Sequence, residues 1–218
     1  MAKRHGIYVA SKNLFYHSTV KAGVNHTPVL VSVDIPMSAD NTMIQTAPTV
    51  NFSAETTINV GAAVADIRRA WLKPNFSSLP SNIVFNSALL KLTVTGDSSN
   101  NARTMYAHRC LPAAVNNQQT WNVYSTGNNW TTGGASSSGN DYEATEIGHV
   151  SVPASPPLNT QLTMTLTASE LQKLYDGTYT NNGIVLFVDT QNDDAIAYAS
   201  IDHATSAYRP IITIGYYI

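Results

Sequence analysis

Two of the chain's three tryptophans, Trp121 and Trp130, stand in TWNVYSTGNNWTTGG, a stretch otherwise built of Asn, Ser, Thr and Gly. An indole left bare in a polar loop is costly, so each ring needs an occupation. One is structural: the ring buries a large area, and a neighbouring amide or carbonyl satisfies its N–H. The other is recognition: aromatic faces stack on the C–H faces of a pyranose while amides and carboxylates bind its hydroxyls. Trp121 and Trp130 would then be the platform, with Asn128, Asn129, Asp141 and Tyr142 as the polar rim.

Other residues capable of chemistry form weaker patterns. Asp189, Asp193 and Asp194, with Asn192 among them and Asp202 nearby, are oxygen donors of the kind that hard cations favour. Their spacing matches no known metal loop, and TQNDDA reads more simply as a hairpin turn. His108, His149 and His203 lie far apart in sequence, on or beside expected strands. No nucleophile elbow, zinc-protease helix or phosphate loop is present, so the reading is non-enzymatic and needs no cofactor. Cys110 is the single cysteine, which excludes an internal disulfide and Cys-rich zinc sites. It reads as a small apolar core residue.

These residues sit in a chain of 218, enough for one sizeable domain. Charged residues make up 12%, about half the usual share, while hydrophobic content of 43% supports a real core. Thr, Val, Ile and Tyr favour strands, and Asn with Gly favours turns. Short apolar runs separated by turn residues follow one another: TTINVG, IRRAWLKPNF, SALLKLTVTG, ARTMYAHRC, TEIGHVSV, QLTMTLT, GIVLFVD, AIAYAS and RPIITIGYY. The spacing predicts an all-β fold, two packed antiparallel sheets in a jelly-roll-like β-sandwich. ALLKLTV and GIVLFVD, nearly continuous in apolar residues, are the expected central strands. One helix interrupts the series: TASELQKLYDG offers Thr167 as N-cap, Glu170 as its capping-box partner and Gly177 as the terminating residue. It is too short to build a core and is expected to plug an open end of the sandwich. The connection from Pro112 to Glu143 exceeds ordinary loop length, which flags function or packing of its own.

The first 38 residues differ from the rest. They carry Lys3, Arg4, Lys12 and Lys21 against Asp34 alone, whereas the remainder is acidic. They are expected to form an extended N-terminal arm with one strand, PVLVSVDIP, in which Val29, Val31 and Val33 share a face. The arm reads as an attachment element, and VLVSVDI could add a strand to a partner's sheet edge. Residues 39–218 form the expected domain. The net charge of −2 argues against a nucleic-acid binder. No stretch is apolar enough for a membrane span, and the N-terminus lacks the apolar core and cleavage site of a signal peptide.

The stretch from Asp40 to Tyr217 resembles the DNRLRE-type domain, a β-sandwich of phage structural proteins and bacterial surface proteins that is similar to a family of carbohydrate-binding modules. The likeness rests on ADNTMIQTAPTVNFSAETTINVG, RRAWLKPNFSSLPSNIVFNSALLKLTVTG, the loop TWNVYSTGNNWTTGGASSSGNDYEAT, NNGIVLFVD and AYASIDHATSAYRPIITIGYY, in order. The family's core-strand Phe falls at Pro74 or Phe76 here, and residues 1–38 lie outside the likeness. The resemblance implies that Trp121 and Trp130 fold back and pin the loop. It further implies a bacteriophage virion protein made in the host cytoplasm, decorating the capsid or forming part of a head or tail fibre. Its partners would be other virion proteins, further copies of itself and surface polysaccharide. The alternative is a carbohydrate-binding module of a bacterial surface or secreted protein.

Overall fold

A computed structural model describes residues 27–63, 66–98, 101–188 and 195–218. The four basic residues of the expected attachment arm (Lys3, Arg4, Lys12, Lys21) and the three candidate metal ligands Asp189, Asp193 and Asp194 lie outside them. The described chain is mostly strand with one short helix, as the alternating pattern predicts. The strands are β1 (Leu30–Ile44), β2 (Thr57–Ala63), β3 (Asp66–Pro74), β4 (Phe85–Asp97), β5 (Arg103–Cys110), β6 (Val123–Ser125), β7 (Asn128–Asn129), β8 (Tyr142–Val152), β9 (Gln161–Leu166), β10 (Ile184–Val188), β11 (Ala195–Ala199) and β12 (Ile211–Tyr217). The helix α1 covers Ala168–Tyr175 between β9 and β10.

The finer expectation of two separate sheets differs from the observed pairing. Antiparallel ladders run without a break around the ring β4–β12–β1–β3–β10–β5–β8–β9 and back to β4. This closes an eight-stranded barrel, while β11 and β2 make a second link between β4 and β3. The cause is the length of two strands. β1 pairs with β12 through Leu30–Pro36 and with β3 through Met37–Ile44, changing neighbour at a bulge between Met37 and Ala39. β4 pairs with β12, β9 and β11 along its length. A strand that hands over from one neighbour to another joins what would otherwise be two sheets.

The division drawn at residue 38 therefore falls inside β1. The strand of the expected arm is a stave of the barrel. Val31 and Val33 pack against the core and Ile35 is fully buried, so of the three valines only Val29 stands exposed. Val29 and Ile218 exchange both backbone hydrogen bonds. Alternation then turns the amides of Leu30, Ser32 and Asp34 away from β12, toward an edge that no described strand occupies. Pro28 and Pro36 have the same parity, so their missing N–H groups face away from β12 and remove no bond of that ladder.

Inside the barrel, alternate residues make one core. Ile35, Leu72, Leu90, Leu92, Met105, Leu186, Ile212 and Ile214 are at most 1% exposed. The helix adds Leu171 and Leu174. Its capping box does not form: Thr167 is the N-cap by backbone alone, and Glu170 pairs instead with Lys173 at 2.7 Å. Gly177, at φ 80°, ends the helix as expected.

Candidate functional site

The outer faces of β1, β3 and β10 carry residues too apolar for solvent. Ala39 and Met43 on β1, Trp71 on β3 and Val185 on β10 point away from the barrel core, yet all are buried. The long loop from Leu111 to Asp141 covers them. Trp130, 4% exposed, enters this second core with Ala114, Ala135 and Cys110, while Trp121 and Tyr124 pack at its margin. Each tryptophan with a described N–H bond finds a carbonyl: Trp130 donates to Thr120 at 3.0 Å and Trp71 to Asn182 at 2.9 Å. Gly133 and Gly134 lie flat on the Trp121 ring. A Cβ at either position would stand 2.4 Å or less from an indole atom.

Polar side chains clasp the same loop. Asp141, 1% exposed, accepts the backbone N–H groups of Thr131 (2.8 Å), Ser137 (2.9 Å) and Thr132 (3.0 Å). Asn41 and Asn51 both donate to the Gln119 carbonyl, at 2.9 and 2.6 Å. Arg69 reaches the Ala135 carbonyl at 3.0 Å. Burial pushes the Cys110 thiol up to about 12, so it stays protonated and inert.

The six residues expected to form a sugar platform are thus divided. Trp121, Trp130 and Asp141 come together, but inside the loop, where Trp130 and Asp141 have no open face. Asn128 and Asn129 form the exposed tip hairpin of β6 and β7, with Asn128 bonded to Ser125 at 2.9 Å. Of the six, Tyr142 lines an open groove.

That groove, of about 360 Å³, lies where the loop rejoins the barrel, and is lined by Tyr106, His108, Ser138, Tyr142, Ala144, Glu146 and Phe187. Strand register builds it. Phe187, Tyr106 and His149 are directly opposed across β10, β5 and β8, and Val185, His108 and Glu146 make the adjacent row. Outward positions of one row meet on one face. His108 stacks on Phe187 with centroids 5.0 Å apart and planes at 15°. Tyr142 packs edge-on to His108 at 4.9 Å and beside Phe187 at 5.1 Å. Tyr106 lies 6.1 Å from Phe187 and 5.9 Å from His149. The Arg69 guanidinium stands over Phe187, 4.5 Å from the centroid.

Burial lowers the pKa of His108, against the pull of the Glu143 carbonyl, to which its Nδ1 donates at 2.8 Å. Glu146 accepts from His149 Nδ1 at 2.8 Å. Among the described residues, no three His, Cys, Asp or Glu side chains converge as metal ligands. His203 is separate, packed against Tyr208.

Tyr106, His108, Glu146 and Phe187 were absent from the expected site. Their signal was the strand alternation itself. In TMYAHRC the inward Met105 and Ala107 alternate with outward Tyr106 and His108, and an aromatic on the outer face of a strand has no core to fill. A larger cavity, about 630 Å³, lies between residues 76–84 and α1. Two of its lining rings, Phe76 and Tyr175, pack with each other and with Phe85, centroids 5.0 to 6.3 Å apart.

No protein-family model matches the chain, and no curated protein does.

Proposed function

We propose that this protein is a non-enzymatic structural component of a bacteriophage virion, exposed on the particle as a capsid decoration or as part of a head or tail fibre. One observation carries the reading. The described barrel begins and ends at the same place, where Val29, Leu30, Tyr217 and Ile218 are 51–74% exposed and β1 has an edge that no described strand occupies. The basic segment 1–26 precedes Thr27 in the sequence. An apolar tip, an open edge and a basic lead-in segment suit docking on a larger assembly, and the likeness to the DNRLRE-type domain points the same way. Within this reading the closed ring is taken as a variant of the jelly roll, an architecture common in capsid proteins. Copies of the chain would occupy repeated positions on the particle.

The test is immunogold electron microscopy of particles from the source lysate, with antibody raised to the folded chain. Regular label on heads or tails is the expected result. Unlabelled particles, with the protein recovered only in the soluble fraction, would overturn the proposal.

A further inference from the structure

We infer that the barrel end formed by β1 and β12 seats a second copy of this chain, joined about a two-fold axis with the two β1 strands antiparallel and Leu30 facing Leu30. The inference rests on the reading of this tip as a docking surface and names what docks there.

Apolar exposure gathers at this end of the barrel. Val29 and Ile218 exchange backbone hydrogen bonds, and Leu30 and Tyr217 are directly opposed. Val84 adjoins Phe85, the partner of Tyr216. Leu30 and Tyr217 share one face of the strand pair and Val29 and Ile218 the other, so both faces end in apolar side chains. The five residues are 51–76% exposed and present on the order of 500 Å². Two such patches brought together bury about 1,000 Å², the least that a specific dimer needs.

The backbone sets the orientation. The N–H groups of Leu30, Ser32 and Asp34 face away from β12, toward an edge that no described strand occupies. At Pro36 this edge is closed, because Asn75 donates to the Pro36 carbonyl at 2.9 Å. Edges are commonly guarded by a charge, but the carboxylate here, Asp34, is engaged within its own sheet by Thr213 and Lys91. A two-fold at Leu30 lets the two Leu30 residues exchange N–H and C=O, and lets each Ser32 N–H reach the other copy's Pro28 carbonyl. Leu30 and Tyr217 of both copies then form one outer cluster. A two-fold at Ser32 instead sets Leu30 against Asp34.

Charge favours a second copy as the occupant. Residues 1–26 carry Lys3, Arg4, Lys12 and Lys21 and no acidic group, a formal +4; residues 27–218 carry eight basic and fourteen acidic groups, a formal −6. In the two-fold pair each basic segment begins at the interface, beside the acidic body of the other copy. That attraction is screened by salt.

The test is sedimentation velocity of the full chain from about 1 to 200 μM. A monomer–dimer equilibrium in the micromolar range is expected, weaker at high salt. Leu30→Lys sets like charges against each other across the axis and should weaken the dimer by at least roughly tenfold. Ser32→Pro removes an N–H that β12 does not use, at the parity where Pro28 and Pro36 already stand, and should weaken it likewise. Circular dichroism checks that both variants are folded. Leu158→Lys is the control: Leu158 is 55% exposed but lies toward the far end of β4, where Asn159 bonds Val94, and its variant should dimerise as the parent does. A monomer at about 200 μM, a trimer or larger ring, or a dimer that survives both Leu30→Lys and Ser32→Pro would each overturn the inference. A monomer that still labels particles regularly by immunogold sinks this inference alone, whereas a dimer with unlabelled particles upholds it and sinks the virion reading.

Discussion

Trp130 donates its indole N–H to the carbonyl of Thr120, ten residues earlier in the same loop, and does so from inside a core that the loop itself creates. The bond and the burial are one device. A loop rich in Asn, Ser and Gly has little apolar surface of its own, so a large ring supplies buried area that its polar residues cannot.

Removing that ring tests the device. Trp130→Ala is expected to cost about 3–5 kcal/mol, the range for deleting a buried aromatic. Trp130→Phe, which keeps most of the bulk but leaves the Thr120 carbonyl without its donor, should cost less, about 1–3 kcal/mol. Urea denaturation of both variants decides. Equal, negligible losses would mean that the loop is held from elsewhere.

The Asp141 carboxylate is the polar counterpart of Trp130. Three backbone N–H groups converge on it, and hydrogen bonds to a charged group contribute about 1.5–3 kcal/mol each where one can be isolated. Asp141→Ala should therefore open the loop: limited proteolysis is expected to cut between Thr131 and Asn140 in the variant and spare the parent. Asp141→Asn keeps one acceptor oxygen and should fall between the two. A protease pattern identical in all three proteins would show that the clasp is dispensable.

Much of this fold was readable from local pattern, and its shortfalls have one physical source. Alternation located the strands and Gly177 located the helix end because those signals reside in adjacent residues. Barrel closure depends on which strands pair, and β1 changes partners at a bulge that MSAD does not announce. For Trp121 and Trp130 the sequence gives the need for burial without the surface that answers it, namely Met43, Trp71 and Val185. The groove was missed for the same reason. Phe187, Tyr106 and His149 become neighbours only through register across three strands. Glu170 shows the limit from the other side: the capping-box pattern is present, but a lysine three residues on takes the carboxylate.

Asp40 gives a pH prediction. It is 1% exposed on β1, and burial, with Asp202 nearby adding to the effect, raises its pKa to about 7 despite a 2.7 Å hydrogen bond from the Ile201 N–H. The unfolded value is 3.8. The folded state thus binds the proton more tightly, so the contribution of Asp40 to stability is greatest below pH 4, falls as pH rises toward 7, and is level above. Three units correspond to a loss on the order of 4 kcal/mol at most. Asp40→Asn keeps an acceptor for Ile201 without the charge. It should stabilise the protein at pH 8 and remove this slope. A variant less stable than the parent at pH 8 would show that the carboxylate is needed in its charged form.

The position of β1 sets the last prediction. Deleting residues 1–26 leaves every described strand in place, so 27–218 is expected to fold with a cooperative melt. Deleting 1–38 removes the half of β1 that pairs with β12, together with Ile35 and Met37 from the core. The seam between β12 and β3 then has no stave, and residues beneath it, Ile212 and Ile214 among them, lose their cover. Loss of two buried side chains and seven ladder positions exceeds what a domain of ordinary stability tolerates. The 39–218 chain is expected to be unfolded or aggregated by circular dichroism and gel filtration. A cooperative melt in 39–218 matching that of 27–218 would show that β11 and β2 alone suffice to join β4 to β3.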